Sequence, residues 1–462
     1  MPTHVIILAA GEGKRMNSDL PKVAHLAVGR PLVDHVIGAA ATLDPVSTVV
    51  VVGHGADQVR AILPGHVIEA VQPEQLGTGH AAQIGLEALG PVETEDIVMI
   101  LYGDTPLLTP GLLQNLTNLD RGESARLVST HLSDPSGYGR VIRDENGEVA
   151  GVVEHRDCTE EQLRIGEVNA GIYAIRAGRL VDTLKQVTND NTQGEYYLTD
   201  VIGILVAEGD KLTAVEASPR EVMGINSQDQ LAEARKELRH RTNQRLMESG
   251  VDIIDPERTY IDESVTVAPG ARIYPGTHLE GATTVGPGSQ VGPDVFAVDS
   301  TIGQDVTVWY AVLRGAVIAD GCEVGPYASL RPGTILERGA KIGTFVETKN
   351  TTMGEDAKAN HLAYLGDAEV GARSNIGAGV VTVNYDGVRK AKTEIGEEAF
   401  IGSDTMLVAP VSIGDRASTG AGSVITKDVP DDALAVERSD QKEIPGYSQR
   451  RAARKAARNA ED

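Results

Sequence analysis

Apolar and polar positions follow three different rhythms along the chain. Over residues 1–226, short apolar runs alternate with helical patterns. Val5–Ala10, Thr48–Val52 and Ile97–Tyr102 each read as a buried strand, followed by glycine and then a polar–apolar helical stretch. That βαβ rhythm predicts an α/β domain with a mostly parallel sheet and helices on both faces. Residues 227–250 form a linker whose centre, 228–248, lacks Gly and Pro and is laced with charge. It predicts one long exposed helix.

After Gly250 an aliphatic residue returns every six positions: Ile261, Val267, Ile273, Leu279, Val285 and Val291. The same period carries Ile302 and Val308 after a one-residue slip, then Ile318, Val324, Leu330, Leu336 and Ile342, and finally Ile395, Ile401, Leu407 and Ile413. A period of six belongs to neither a helix nor a simple strand. It predicts a parallel β-helix over 251–447, three hexads to a coil, in which each coil buries its aliphatic positions against the next. The repeat breaks at 380–393, and an insertion in a solenoid is a loop on one face. Residues 448–462 are a basic, Ala-rich tail, expected to be solvated.

The 462 residues suit two to three domains. A formal charge of −24 argues against nucleic acid or an anionic membrane as the main partner, but permits anionic substrates in local positive pockets. Cys158 and Cys322 cannot build a disulfide framework. No apolar segment approaches a membrane span, and the N-terminal run lacks a signal peptide's basic lead, so a cytoplasmic protein is expected.

Candidate chemistry begins where the first strand runs into Gly11-Glu12-Gly13-Lys14-Arg15-Met16. Such a turn brings backbone amides close to phosphate oxygens, and a following helix N-terminus would add positive charge. The spacing is neither the dinucleotide fingerprint nor a Walker A loop, and alone it is also a plain tight turn. Lys22 follows closely. Tyr102-Gly103-Asp104 puts an acid at the carboxyl edge of a strand, where open α/β sheets bind ligands and Mg²⁺ finds oxygen donors. In the repeat array, Arg331, Lys349 and Tyr364 lie about three hexads apart and are expected to stack on one face as an anion pocket. His361 is the candidate general base there.

The strings LAAGEGKRM, LPK, QLGTGHA and LYGD resemble the sugar-nucleotidyltransferases. Together with VEHRD, EVNAGIY, GIN, NHLAYLGDA and the hexads, residues 3–447 resemble the bacterial family of bifunctional N-acetylglucosamine-1-phosphate uridyltransferase / glucosamine-1-phosphate N-acetyltransferases. The resemblance implies a Rossmann-like sheet followed by a left-handed β-helix, against the general right-handed crossover rule. It implies that Leu8, Ala9, Ala10, Gly11 and Arg15 hold the triphosphate, and that Lys22 neutralises phosphate charge. Gln72, Gly77 and Thr78 would read uracil, with Tyr102 and Gly103 completing the nucleotide site. Asp104 and Asn226 would hold Mg²⁺, and Gly139, Glu154, Asn169 and Asn226 would line the sugar pocket. On the β-helix, Arg331, Lys349, Tyr364 and Asn375 would bind the sugar phosphate, and Lys390 would reach the substrate of a neighbouring subunit. Ala378, Asn384, Tyr385, Ser403, Ala421 and Arg438 would contact acetyl-CoA. Asn-Tyr-Asp-Gly at 384–387 is equally good turn chemistry. A homotrimer with sites between subunits is likewise implied. Two other readings remain: a monofunctional sugar-1-phosphate nucleotidyltransferase with a structural β-helix, and a non-catalytic scaffold. One departure is Ser227, where relatives commonly carry arginine after the metal-site asparagine.

Overall fold

The computed structural model describes residues 1–459. The chain divides into two compact units, residues 1–244 with 261–263, and residues 245–260 with 264–459.

The first unit is built on a nine-stranded mixed sheet. Its strands are β1 (Thr3–Ala9), β2 (Ser47–Val52), β3 (Ile68–Val71), β4 (Ile97–Tyr102), β5 (Glu123–His131), β6 (Arg140–Arg143), β7 (Val149–Val153), β8 (Glu167–Arg176) and β9 (Lys211–Glu216). The path runs β9-β5-β8-β4-β1-β2-β3, with the β6–β7 hairpin branching from β8. The β4-β1-β2-β3 segment is parallel, and β8 runs antiparallel to both its neighbours. Alternate residues of each strand feed opposite cores, as the two-residue side-chain period requires. Ile6, Leu8, Val49, Val51, Val98 and Ile100 face helices α2 (Thr78–Leu89), α4 (Ala177–Leu184) and α5 (Thr199–Ala207). Val5, Ile7, Val50, Val52, Met99 and Leu101 face α1 (Leu32–Ala41) and α3 (Pro110–Thr117). The parallel strands therefore present their carboxyl ends together along one edge.

Two expectations need correction here. The glycine turn after β1 does not open an α-helix; it enters a single 3₁₀ turn, Lys14–Met16, closed by Met16 N–H to the Gly13 carbonyl at 2.9 Å. Met16 is buried, and anchoring it leaves no room for the chain to propagate a helix. The expected helix dipole is thus missing from the phosphate turn. The charged helix α6 (Gln228–Glu248) has the expected bounds, but it is not exposed all round. Leu231, Ala234 and Leu238 form an apolar stripe packed on Met16, Leu32, Leu107 and Ile225. Spacings of three and four put those residues on one face, and the charge of their neighbours masks them in the average.

The second unit is a parallel β-helix. Its short strands pair parallel with residues one coil later, 16 to 18 residues on, as in Arg272↔Gln290, Val317↔Ile335 and Thr307↔Glu323. Every aliphatic residue of the six-residue period is buried. Inward positions that the period skips hold Ala297, Leu313, Thr348, Met353, Ala359 and Thr382, all buried. Many corners adopt left-handed backbone, and Asp or Asn often stands there, as at Asp305, Asp356 and Asp404. One corner column is instead bulky: Tyr310, Tyr327, Phe345 and Leu362, exposed by 39, 57, 58 and 61%. Its rings stack, with centroids 5.4 and 5.5 Å apart.

The insertion is shorter than the break in the aliphatic pattern suggests. Val381–Val383 is a regular strand of the coil, paired with Tyr364 below and with Met406–Val408 above. The extra chain begins at Asn384. It lengthens the offset from 17 residues at Lys358↔Asn375 to 25 at Asn375↔Phe400. The tail forms helix α7 (Tyr447–Arg458) with no buried residue; residues 460–462 of the tail lie outside the described chain.

Candidate active sites

At the carboxyl edge of the first unit's sheet, the loops after β1, β3 and β4 line a cavity of about 310 Å³. It is walled by Leu8, Ala9, Ala10, Gly11, Lys22, Gln72, Gly77, Thr78, Tyr102 and Asp104, ten of the residues expected at the nucleotide. Gly103 lies behind them, its amide bound to the Leu8 carbonyl. Gly13 has φ +68°, and a β-carbon there would lie 2.8 Å from Lys22 Cβ. Glycine therefore lets Lys22 cross under the turn. Gln72 is buried; its Nε2 donates to the Gly77 carbonyl at 3.2 Å and stands 3.1 Å from His80 Nδ1. Two further lining residues, Gln75 and Glu195, were not singled out by the sequence. Gln75 Nε2 donates to the Ala10 carbonyl at 2.8 Å and ties the phosphate turn to the loop after β3. Its only signal was its place inside QLGTG.

A second cavity of about 360 Å³ shares Tyr102 and Asp104 with the first and is lined by Arg15, Gly139, Glu154, Asn169 and Asn226. Arg15 is thus placed on the sugar-side cavity rather than on the nucleotide-side one. Asn169 sits at a register shift in β8, so the strand bulges and turns its amide into the cavity. Its Nδ2 donates to the Tyr173 hydroxyl at 2.6 Å. Gly171, at φ +74°, lies flat against the Tyr102 ring; a β-carbon would fall 2.0 Å from the ring. Tyr102 is thereby clamped as the partition between the cavities. Its hydroxyl pairs with Thr78, and burial with the nearby Glu154 and Asp104 pushes its pKa upward, so it stays neutral. Tyr138, Gly224 and Gln230 also line this cavity and were not singled out. Gln230 Oε1 accepts the Asn226 amide at 2.7 Å.

Between the cavities, the Lys22 ammonium donates to Asp104 Oδ2 and, at 2.9 Å, to Asn226 Oδ1. All three are largely buried or half-buried. A carboxylate and an amide oxygen converging on one cation is a donor set that suits Mg²⁺, which takes one or two protein oxygens and completes its shell with phosphate and water. The residues present fit that ion.

Burial pushes the Glu154 carboxyl up, and Asp200, Asp157 and Glu195 add to the shift, while the Thr199 hydroxyl opposes it with a bond at 3.1 Å. The folded state therefore favours the protonated acid. Its stabilising contribution is full below about pH 4 and is lost as pH rises through the raised folded value. Glu154→Gln should raise Tm at neutral pH, with the gain vanishing near pH 4. Calorimetry across that range checks this; a gain independent of pH would refute the assignment.

On the β-helix, the structure divides the expected residues into two groups. Thr344 pairs with His361, and the same inter-coil bonds carry the column through Ala378, Ser403 and Ala421. The Asp404 amide donates to the Ala378 carbonyl at 2.7 Å and the Gly422 amide to the Ser403 carbonyl at 2.8 Å. Arg438 Nη1 closes the column on the Ala421 carbonyl at 3.0 Å. His361 is exposed and makes no side-chain hydrogen bond among the described residues. Asn375 lies in a neighbouring column, on Lys358 and Phe400.

The second group is cationic. Arg331 and Lys349 stand on successive coils, since Leu330 pairs with Thr348. Tyr364 does not continue their stack. The next coil is one residue shorter, so Gly366 lies over Lys349 and Tyr364 over Glu347. Glu347 also pairs with Arg331 at 2.9 Å. Lys390 lies against Lys349 of its own chain, and the proximity of the two ammonium groups pushes the Lys390 pKa down. The expected reach of Lys390 to a neighbouring subunit is replaced here by a lysine pair assembled within one chain. The loop that carries it folds on its own bonds: Tyr385 bridges Lys390, and Asp386 Oδ1 accepts the amides of Val388 and Arg389. The turn chemistry of Asn-Tyr-Asp-Gly is thus realised as well.

Residues 5–194 match the MobA-like NTP transferase domain, and residues 392–427 match the bacterial transferase hexapeptide of six repeats. A left-handed parallel β-helix follows from the second match with the parallel coils. The chain is similar to proteins described as "Bifunctional protein GlmU". The one from Streptomyces avermitilis is 47% identical over 99% of this chain and 96% of its own. Those from Stutzerimonas stutzeri and Caldanaerobacter subterraneus are 46 and 45% identical, over 97 and 96% of this chain and 99 and 97% of theirs.

Proposed function

The chain belongs to the bifunctional GlmU family, and from that premise we infer how its two sites divide the chemistry. It is an enzyme of UDP-N-acetylglucosamine synthesis. It transfers acetyl from acetyl-CoA to glucosamine-1-phosphate, then uridylyl from UTP to the N-acetylated product, releasing pyrophosphate. We assign uridylyl transfer to residues 1–226 and acetyl transfer to 251–447, with 227–250 as linker and 448–462 as tail.

In uridylyl transfer the sugar phosphate is itself the nucleophile and attacks the α-phosphorus, so no general base is needed. Bringing two polyanions together in line is the task. The two cavities meeting at Tyr102 and Asp104 carry this reading, because they put a nucleotide and a sugar phosphate on either side of one cationic point. Residues 8–11 and 77–78 seat UTP, with Gln72 held to present its amide edge to the base. Gly139, Glu154 and Asn169 seat the sugar. Mg²⁺ held by Asp104 and Asn226 would neutralise charge on the phosphate oxygens. Lys22, and Arg15 from the sugar side, add fixed positive charge.

In acetyl transfer the substrate ammonium must lose a proton before its nitrogen attacks the thioester. The free His361 imidazole takes that proton. The column Ala378–Ser403–Ala421 with Arg438, Asn384 and Tyr385 seats acetyl-CoA, and Ser403 faces the charge developing on the thioester oxygen. Arg331, Lys349 and Lys390 hold the sugar phosphate, with Tyr364 and Asn375 on the sugar.

A homotrimer goes with this reading. The bulky exposed column Tyr310, Tyr327, Phe345 and Leu362 is an apolar strip that a second copy would cover, and it ends beside His361. Among the described residues no helix is long and apolar enough to cross a membrane. Free thiols at Cys158 and Cys322 suit a reducing, cytoplasmic location.

The test incubates the protein with Mg²⁺, acetyl-CoA, glucosamine-1-phosphate and UTP and follows free thiol and pyrophosphate together. Both should appear. Pyrophosphate only when N-acetylglucosamine-1-phosphate is supplied, with no thiol, would leave the β-helix a scaffold.

A further inference from the structure

Asp367 stands at a left-handed corner, φ +50°, directly between the two halves of the acetyl-transfer site. Its Oδ1 accepts Asn350 Nδ2 at 2.8 Å, and its Oδ2 accepts Asn384 Nδ2. The same Oδ2 lies 3.9 Å from Lys349 Nζ, with a side chain only 14% exposed. Asn384 is buried and is the root of the insertion: its carbonyl accepts the Ala391 amide at 2.9 Å, closing the loop that carries Tyr385 and Lys390. One carboxylate therefore touches the fixed lysine, the loop's anchor and the charge field of the loop's lysine. Burial pushes the Asp367 pKa up, but the Asn350 and Asn384 amides and the Lys349 and Lys390 charges outweigh it, and the group is held below the ordinary range. It is an anion at every pH at which the enzyme works.

Three effects compete at this spot. Lys349 and Lys390 repel each other, and Asp367 and the Tyr364 hydroxyl oppose the resulting fall in the Lys390 pKa. A charge-assisted bond to Asn384 is stronger than a neutral one. Without the carboxylate, nothing among these contacts offsets the lysine repulsion, and the loop root loses its bond.

We propose that Asp367 is the positioning residue of the acetyl-transfer site: it holds Asn384 on the acetyl-CoA side and the Lys349–Lys390 pair on the sugar-phosphate side, so that both substrates are seated by one carboxylate. This rests on the assignment of those residues to the two substrates. Asp367 does not touch the reacting atoms and moves no proton. Its work is to keep two cations together in the absence of phosphate and to fix the loop over the coil.

The experiment uses full-length protein and three variants, Asp367→Asn, Asp367→Glu and Asp367→Ala. Asparagine tolerates left-handed backbone and keeps the size, so Asp367→Asn removes charge alone. Uridylyl transfer, which uses the other unit, serves as the fold control. In Asp367→Asn the KM for glucosamine-1-phosphate and the KM for acetyl-CoA should each rise about tenfold, with kcat changed less than either. The glucosamine-1-phosphate KM of the variant should also begin to climb at lower pH than in the wild type, because Lys390 then loses its proton earlier. Asp367→Glu should restore part of both KM values, whereas Asp367→Ala should match or exceed the asparagine variant. Both KM values unchanged, or a fall in kcat alone with the wild-type pH profile, would overturn the proposal. Loss of acetyl transfer in the wild type itself would instead refute the assignment on which it rests.

Discussion

Asp104→Ala should abolish uridylyl transfer, by about a thousandfold or more, while acetyl transfer stays near the wild-type rate. Asp104 supplies the only carboxylate at the point where the two cavities of the first unit meet. Removing it leaves the Lys22 ammonium with the Asn226 oxygen alone in a largely buried setting. Breaking such a pair from one side costs stability as well as activity, because the surviving charge keeps its desolvation penalty. The assay therefore belongs well below the variant's own Tm. Asp104→Asn separates the effects: it keeps the shape and loses the charge, and it should be as inactive as the alanine variant but closer to the wild type in Tm. Pyrophosphate release from UTP and N-acetylglucosamine-1-phosphate at saturating Mg²⁺ is the readout. A folded Asp104→Ala protein with normal pyrophosphate release would remove Asp104 from the site.

The mirror change is His361→Ala. A positioned general base is worth about a hundredfold to ten-thousandfold, so acetyl transfer should fall by that much while uridylyl transfer is untouched. The imidazole is exposed and has no side-chain bond to lose among the described residues, so Tm should hardly move. That separates it from Asp104, where stability falls too. The signature of a base is that loss grows at low pH, where the substrate ammonium most needs help, and shrinks as pH approaches the amine's own pKa. Thiol release measured over that range distinguishes this from a lost contact, which would give a pH-independent deficit. If either change removed both activities in a folded protein, two independent sites could not be maintained.

Much of this was legible because burial imposes a period. Ile97–Tyr102 and Gln228–Glu248 have the same bounds in sequence and structure, and every aliphatic residue of the hexads points inward. What the period could not show was anything set by a single residue's anchoring. Met16 ends the phosphate turn after one 3₁₀ turn, and nothing in Lys14-Arg15-Met16 announces it. One coil shorter by a residue moved Tyr364 off the Arg331–Lys349 stack. Gln75, Glu195, Tyr138 and Gln230 look like any polar loop residue until the fold converges them. Asp367 was hidden differently: aspartate is common at these corners, as at Asp294, Asp299, Asp305 and Asp432, and only contacts with Asn384 and Lys349 set one apart.

The column from His361 through Ala378 and Ser403 to Ala421 behaves as a ruler with one mark per coil. Each step is one inter-strand spacing, about 4.8 Å, so three steps measure about 14 Å along the β-helix axis. The offsets in sequence between marks vary, 25 residues where the insertion leaves and 18 beyond it, yet the spatial step does not. Length in this site is therefore quantised, and evolution can lengthen a loop freely but can change the reach only by a whole coil. A donor with a shorter arm would be met by deleting one coil, never by trimming residues.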